Sequence, residues 1–196
     1  MERRQEKAIW QFATRYLPKK QPQIELPSPN GDELRWYSHK ITTFTAVYAV
    51  TGGILSAITA ASASLLPDVF EMGGILKHRG ASHWPYPYFG VALILFITCC
   101  LTTSLWPYFA FYLLVGMSLH MLEDGLSKSG IPWRHPFGEP KGAGFYITGT
   151  GSEQILVLIL TVIFLLLAHF RGFLTKEHSA QETQIFMVVL RTLFGF

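Results

Sequence analysis

Three stretches of this chain run without charge for longer than a water-soluble fold tolerates. Residues 41–66 and 84–122 contain no Asp, Glu, Lys or Arg, and residues 142–170 contain only Glu153. A helix crossing a bilayer needs about 20 apolar residues, so these runs read as membrane spans. Run 84–122 is too long for one crossing: as a single helix it would reach roughly 58 Å, against a hydrocarbon core of about 30 Å. Trp106-Pro107-Tyr108 is the expected break, which makes the run a hairpin of two helices. Run 41–66 is interrupted by Gly52-Gly53, and a last span is expected over about 152–170. The expected fold is an all-α polytopic membrane protein with about four transmembrane helices.

The polar ends divide the chain further. Residues 1–38 form a basic arm, 39–174 a membrane-embedded domain and 175–196 an interfacial tail whose apolar stretch is interrupted by Arg191. In the arm, Ile9, Phe12, Ala13 and Tyr16 follow helical spacing among Arg3, Arg4, Lys7, Arg15, Lys19 and Lys20, the pattern of an amphipathic helix lying on a membrane. With no continuous apolar core, this is not a signal peptide. The net charge of +3 suits anionic lipid heads, and the basic-aromatic pattern of a nucleic-acid reader is missing. Cys99 and Cys100 diverge on a helix and read as small apolar residues, not as a disulfide. Eight of the sixteen Lys and Arg precede Ile41, so the N-terminus is expected in the cytoplasm. If 41–66 crosses once, loops 67–87 and 123–144 then share the opposite side.

Those two loops carry the chemistry. The first holds Pro67-Asp68 and His78-Arg79-Gly80-Ala81-Ser82-His83; the second follows His120-Met121-Leu122-Glu123-Asp124. His120 and Asp124 stand at i and i+4, so they project from one helix face and can grip zinc or a similar cation together. The alternative for that pair is a simple imidazole–carboxylate hydrogen bond. Asp68 can equally be a helix cap, and Arg79 either holds an anion by bidentate bonds or pairs with Asp68 or Glu71. Gly80 permits the turn that would bring His78 and His83 inward. Ionisable groups at a membrane boundary are expensive, and five of them at the same boundary point to one metal site.

This set resembles the YdjM-like, or YbcI-like, membrane-bound metal-dependent hydrolases of the bacterial inner membrane. The matching elements are His39, Pro67-Asp68, His78-Arg79-Gly80-Ala81-Ser82-His83, His120 with Asp124, and Gly130-Ile131-Pro132 with Pro136-Phe137. They occur in the family's order over residues 36–170. The resemblance implies a ligand set of His39, Asp68, His78, His83, His120 and Asp124, and a distant similarity to the zinc-dependent phospholipase C/P1 nuclease group. That group also uses a His-x-x-x-Glu pair; here Gly149 stands four residues before Glu153. His39 raises a geometric conflict. If 41–66 were one straight helix it would span roughly 39 Å, and His39 would lie across the bilayer from Asp68. Either Gly52-Gly53 breaks the segment or His39 is not a ligand.

The expected function is hydrolysis of a phosphoester or lipid-linked substrate by water activated on one or two Zn²⁺ ions, or Mn²⁺ in their place. Arg79 is expected to steady the developing anion, and Glu123 and Glu153 are the general-base candidates. Two rivals stand beside it: a structural metal in a partner-binding membrane protein, and an ion or proton transporter. The second is disfavoured because the ionisable groups gather at helix ends. A lipid phosphatase of the PAP2 type would need a Pro-Ser-Gly-His, which the chain lacks.

Overall fold

The computed structural model describes residues 29–72, 79–102 and 104–195. Within them the chain forms seven α-helices: α1 (Pro29–Thr51), α2 (Ile54–Ala63), α3 (Leu66–Met72), α4 (Pro85–Leu101), α5 (Leu105–Leu126), α6 (Gly151–Phe170) and α7 (Lys176–Phe194). A 3₁₀ turn, Ala81–His83, precedes α4. The connection between α5 and α6 is an ordered loop tied by two isolated bridges, Ser127 with Tyr146 and Ile131 with Lys141. The amphipathic helix expected in the arm lies outside the described residues.

Among the described residues three helical stretches are long and apolar enough to cross a membrane: Ile54–Glu71, Leu105–Leu126 and Gly151–Phe170; Pro85–Leu101 is apolar but shorter. Along α4 and α6 large apolar side chains such as Leu93, Ile94, Leu158 and Ile159 face outward. In water such faces would aggregate; against lipid tails they are matched to their solvent. The chain is a polytopic helical membrane protein.

α5 is the centre of the bundle, packing against α4 and α2, while α1 packs against α2 and α6. The contact with α2 depends on small residues. Ala57, Ala60 and Ala61 are buried, and a Cβ at Gly116 would stand 1.9 Å from the Ala60 carbonyl oxygen. Only glycine lets the two backbones meet there, as small residues do where membrane helices pack closely. Val47, Ala57 and Ala60 form the core of this contact, with Tyr112, Val115 and Leu119 of α5 against it.

Run 41–66 is not one straight helix. At Gly52-Gly53 the chain reverses, with Gly52 at φ 70°, a left-handed conformation that suits glycine. The reversal is held from far along the sequence. His178 Nε2 lies 2.8 Å from the Gly52 carbonyl oxygen, and the Ile54 amide donates to Glu182 at 2.9 Å. Arg171 donates to the carbonyls of Ala49 and Val50 at the end of α1, which has no basic residue in its own last turn. α1 and α2 therefore lie antiparallel. His39 is about 18 Å from the reversal along α1 and Asp68 about 21 Å along the returning arm, so both arrive at the same end of the bundle.

Two expectations are corrected here. The start of α1 lies on the same side as the two site loops, because the chain doubles back at Gly52-Gly53 instead of crossing once. Of the two helices in run 84–122, α4 ends at Leu101 and α5 begins at Leu105, so the break falls before Trp106-Pro107-Tyr108. Pro107 falls in the first turn of α5, where its missing N–H has no partner to lose.

Candidate metal centre

Four side chains from three elements converge at this end. Asp68 is in the first turn of α3, directly after the buried Pro67; His83 closes the 3₁₀ turn; His120 and Asp124 are one turn apart on α5. One ligand atom from each lies within 4.8 Å of the others. His83 Nε2 is 3.2 Å from His120 Nε2, 3.3 Å from Asp68 Oδ1 and 3.3 Å from Asp124 Oδ2. His120 Nε2 is 3.5 Å from each of the same two oxygens.

These are five of the six edges of a small tetrahedron; the sixth, between Asp68 and Asp124, is no longer than 4.8 Å. Ligand atoms about 2.0–2.1 Å from a tetrahedral cation stand about 3.3–3.4 Å apart, so the five distances suit an ion at the centre. Neutral imidazole and carboxylate are also the donors that zinc takes. The site is sealed on three sides: side-chain exposure is 0% for His83 and His120, 2% for Asp124 and 19% for Asp68.

A second layer aims these groups. Glu71, one turn after Asp68 on α3, accepts from His83 Nδ1–H at 2.7 Å, from the Ser82 hydroxyl, and from the Arg79 amide at 3.0 Å. That bond fixes the His83 ring with Nε2 turned inward, the usual support of a metal-ligating histidine. Burial disfavours a charged His83, but Asp124, Asp68 and Glu71 outweigh it, and with only protons to bind its pKa is pushed up to about 11. A proton shared among acids is what a cation would displace. His120 lacks such a support: its Nδ1 is buried with no hydrogen-bond partner among the described residues. Its ring rests instead on that of His39, 4.1 Å between centroids.

Arg79 is bound on all sides by protein. Its Nη2 donates to Asp124 Oδ1 at 2.6 Å and to Thr148 at 3.3 Å; its Nη1 donates to Ser127 Oγ at 2.9 Å and to the Gly130 carbonyl at 3.4 Å. Its backbone sits at φ 55°, the left-handed region that costs a residue with a Cβ about 1–2 kcal/mol. Such a conformation persists where the surroundings fix the residue, as the Asp124 pair and the grip of Glu71 on the amide do here. The guanidinium thus pairs with Asp124, while Glu71 takes the Arg79 amide and Asp68 faces the histidines.

His39 reaches the edge of the site. Its Nδ1–H donates to Glu123 Oε2 at 2.5 Å, and its Nε2 faces Asp124 Oδ1 at 3.9 Å. It stands beside the four converging donors, outside their set. Burial opposes its protonation, but Glu123 prevails and raises its pKa to about 9. Glu153, buried at the start of α6, accepts from the Gly149 amide at 2.6 Å. The Tyr146 hydroxyl donates to the Glu123 carbonyl at 3.0 Å. His78 lies outside the described residues. Glu71, Ser127 and Tyr146 were not among the residues expected at the site. Only Glu71 left a trace in the sequence, three positions after Asp68 on one helix face.

The family model of the YdjM inner membrane proteins matches residues 31–196. The chain belongs to that family. No curated protein and no solved structure matches it significantly.

Proposed function

We propose that the chain is a membrane-embedded, metal-dependent hydrolase acting on a phosphoester or lipid-linked substrate. The observation that carries this reading is the set of near-tetrahedral distances among Asp68, His83, His120 and Asp124. A zinc or manganese ion held there would supply Lewis acidity, lowering the pKa of a coordinated water and polarising the centre under attack. The chain's own residues do the rest. Asp68, the one partly exposed member, marks the side on which water and substrate arrive. Glu71 keeps His83 aimed, and Arg79 keeps Asp124 aimed. Glu123 is the candidate proton acceptor, acting through His39 once a bound cation has displaced the imidazolium proton; Glu153 is committed to the loop before α6.

The location supports a substrate met at the membrane surface on the cytoplasmic side. α1 begins at the site end, which also carries Lys40, Lys128, Arg134 and Lys141, while Arg171 and Lys176 lie past the far end of α6. Basic residues collect on the cytoplasmic side of short-looped membrane proteins. A single cysteine placed at Lys128 in the cysteine-free protein should therefore react with an impermeant maleimide only after the cells are opened.

The second reading is a structural ion in a partner-binding protein. Four protein donors with three of them sealed resemble a closed structural shell, whereas catalytic zinc keeps a position open. Purified protein in detergent, with metal measured by mass spectrometry, separates the readings. Binding lost in both His83→Ala and His120→Ala, together with turnover of aryl phosphomonoesters or diesters that chelation removes and zinc restores, supports the hydrolase. Bound ion without turnover across that panel favours the structural shell. A wild-type protein that takes no ion when zinc or manganese is supplied sinks both.

A further inference from the structure

We infer that the centre takes a single divalent ion, and that Arg79 occupies the position from which a second ion would share Asp124. This rests on the metal reading above and limits it to one ion. Sites holding two ions join them through a carboxylate that gives one oxygen to each, about 3.5–4 Å apart. Asp124 is placed to do this, and only one half is available. Its Oδ2 faces His83 and His120 at 3.3 and 3.5 Å. Its Oδ1 is held by Arg79 Nη2 at 2.6 Å.

The guanidinium is built in. Ser127, Gly130 and Thr148 also accept from its Nη1 and Nη2, and Glu71 grips its backbone amide with both oxygens, at 3.0 and 3.1 Å. The left-handed backbone of Arg79 shows that the chain accepts local strain to deliver this side chain. A second ion at Oδ1 would meet a fixed positive charge within bonding distance, which repels it strongly in a site shielded from water.

Among the described residues, the nearby donors a second ion could take beside Asp124 are engaged. His39 Nε2 faces Asp124 Oδ1 from 3.9 Å, and Glu123 beside it is bonded to His39 Nδ1. Glu153 is turned to Gly149. Among the described residues one group of metal-binding donors converges, the four already named. Arg79 is therefore a positioning residue: it replaces the second cation, neutralises half of Asp124 and presents the other half to the ion.

Manganese is the probe, because one isolated Mn²⁺ and two coupled Mn²⁺ ions give different electron paramagnetic resonance spectra. Wild-type protein loaded with Mn²⁺ should hold one ion per chain and show the six-line signal of an isolated ion. Arg79→Lys should keep one ion, and Arg79→Met should bind it about 10–100-fold more weakly, as the loss of an orienting partner does elsewhere, with helicity checked by circular dichroism. Two exchange-coupled ions in the wild type would overturn the inference and leave the metal site standing. Unchanged affinity in Arg79→Met would overturn the positioning role. No ion in the wild type would remove the metal reading itself.

Discussion

The two ends of the bundle use the same residue types for different ends. At the Gly52-Gly53 reversal, His178, Glu182 and Arg171 each turn to a main-chain group: a carbonyl, an amide and a pair of carbonyls. Every one of those bonds serves the backbone at or beside a helix terminus. At the other end, His83 and His120 turn their nitrogens toward each other and toward Asp68 and Asp124, with no backbone between them. A polar side chain that caps a helix is explained by the helix. Side chains that face one another at this spacing offer converging donors, which is what a cation site requires.

The comparison can be broken most directly by removing a ligand. His120→Ala or Asp124→Ala should lower metal affinity by well over 100-fold, measured by equilibrium dialysis with mass spectrometry; either variant retaining tight binding would return these residues to the class of caps.

Acidity is the next largest effect. In the metal-free site His83 is protonated up to about pH 11, so an incoming ion must release that proton. Affinity should then fall about tenfold for each unit that pH drops between 8 and 6, and a flat profile would contradict the assignment of His83. Because its folded pKa lies above its ordinary value, its protonation stabilises the metal-free protein fully below about pH 6.5, and that contribution is lost as pH rises toward 11. Metal-free protein should therefore melt lower at pH 9 than at pH 7, with the difference narrowed when metal replaces the proton.

Glu71→Gln should weaken metal binding by about 10–100-fold while leaving helicity intact. The smallest effect belongs to the far end. Glu182→Ala should cost about 1 kcal/mol of stability, as loss of a helix cap does, with metal affinity unchanged. A fall in affinity there would mean that the two ends are coupled and the contrast drawn between them is too sharp.

What the sequence reveals follows the range of the interactions involved. Absence of charge over a whole run is a local property, so three spans and a shorter apolar helix could be read directly. The i, i+4 pair of His120 and Asp124 is equally local. The reversal at Gly52-Gly53 was visible only as an interruption. Its outcome depends on His178 and Glu182, more than a hundred residues away, and with it went the side on which α1 begins. The turn between α4 and α5 was misplaced because Pro107 breaks a helix interior but is welcome in a first turn. Glu71 is legible in the sequence only as a possible partner of Arg79; its hold on His83 exists only once Arg79, Ser82 and His83 fold back upon it.

The reversal also bears on the order in which the molecule can be assembled. α1 is too polar to count among the helices fit to cross a membrane, and it buries Thr42, Thr43 and Thr45 in contacts with α2 and α6. During synthesis α6 emerges about a hundred residues after α1. The first of the described helices thus completes its packing only when α6 arrives, and a nascent chain that stops short of Gly151 has the donors of α3 and α5 in hand while α1 still lacks its second wall.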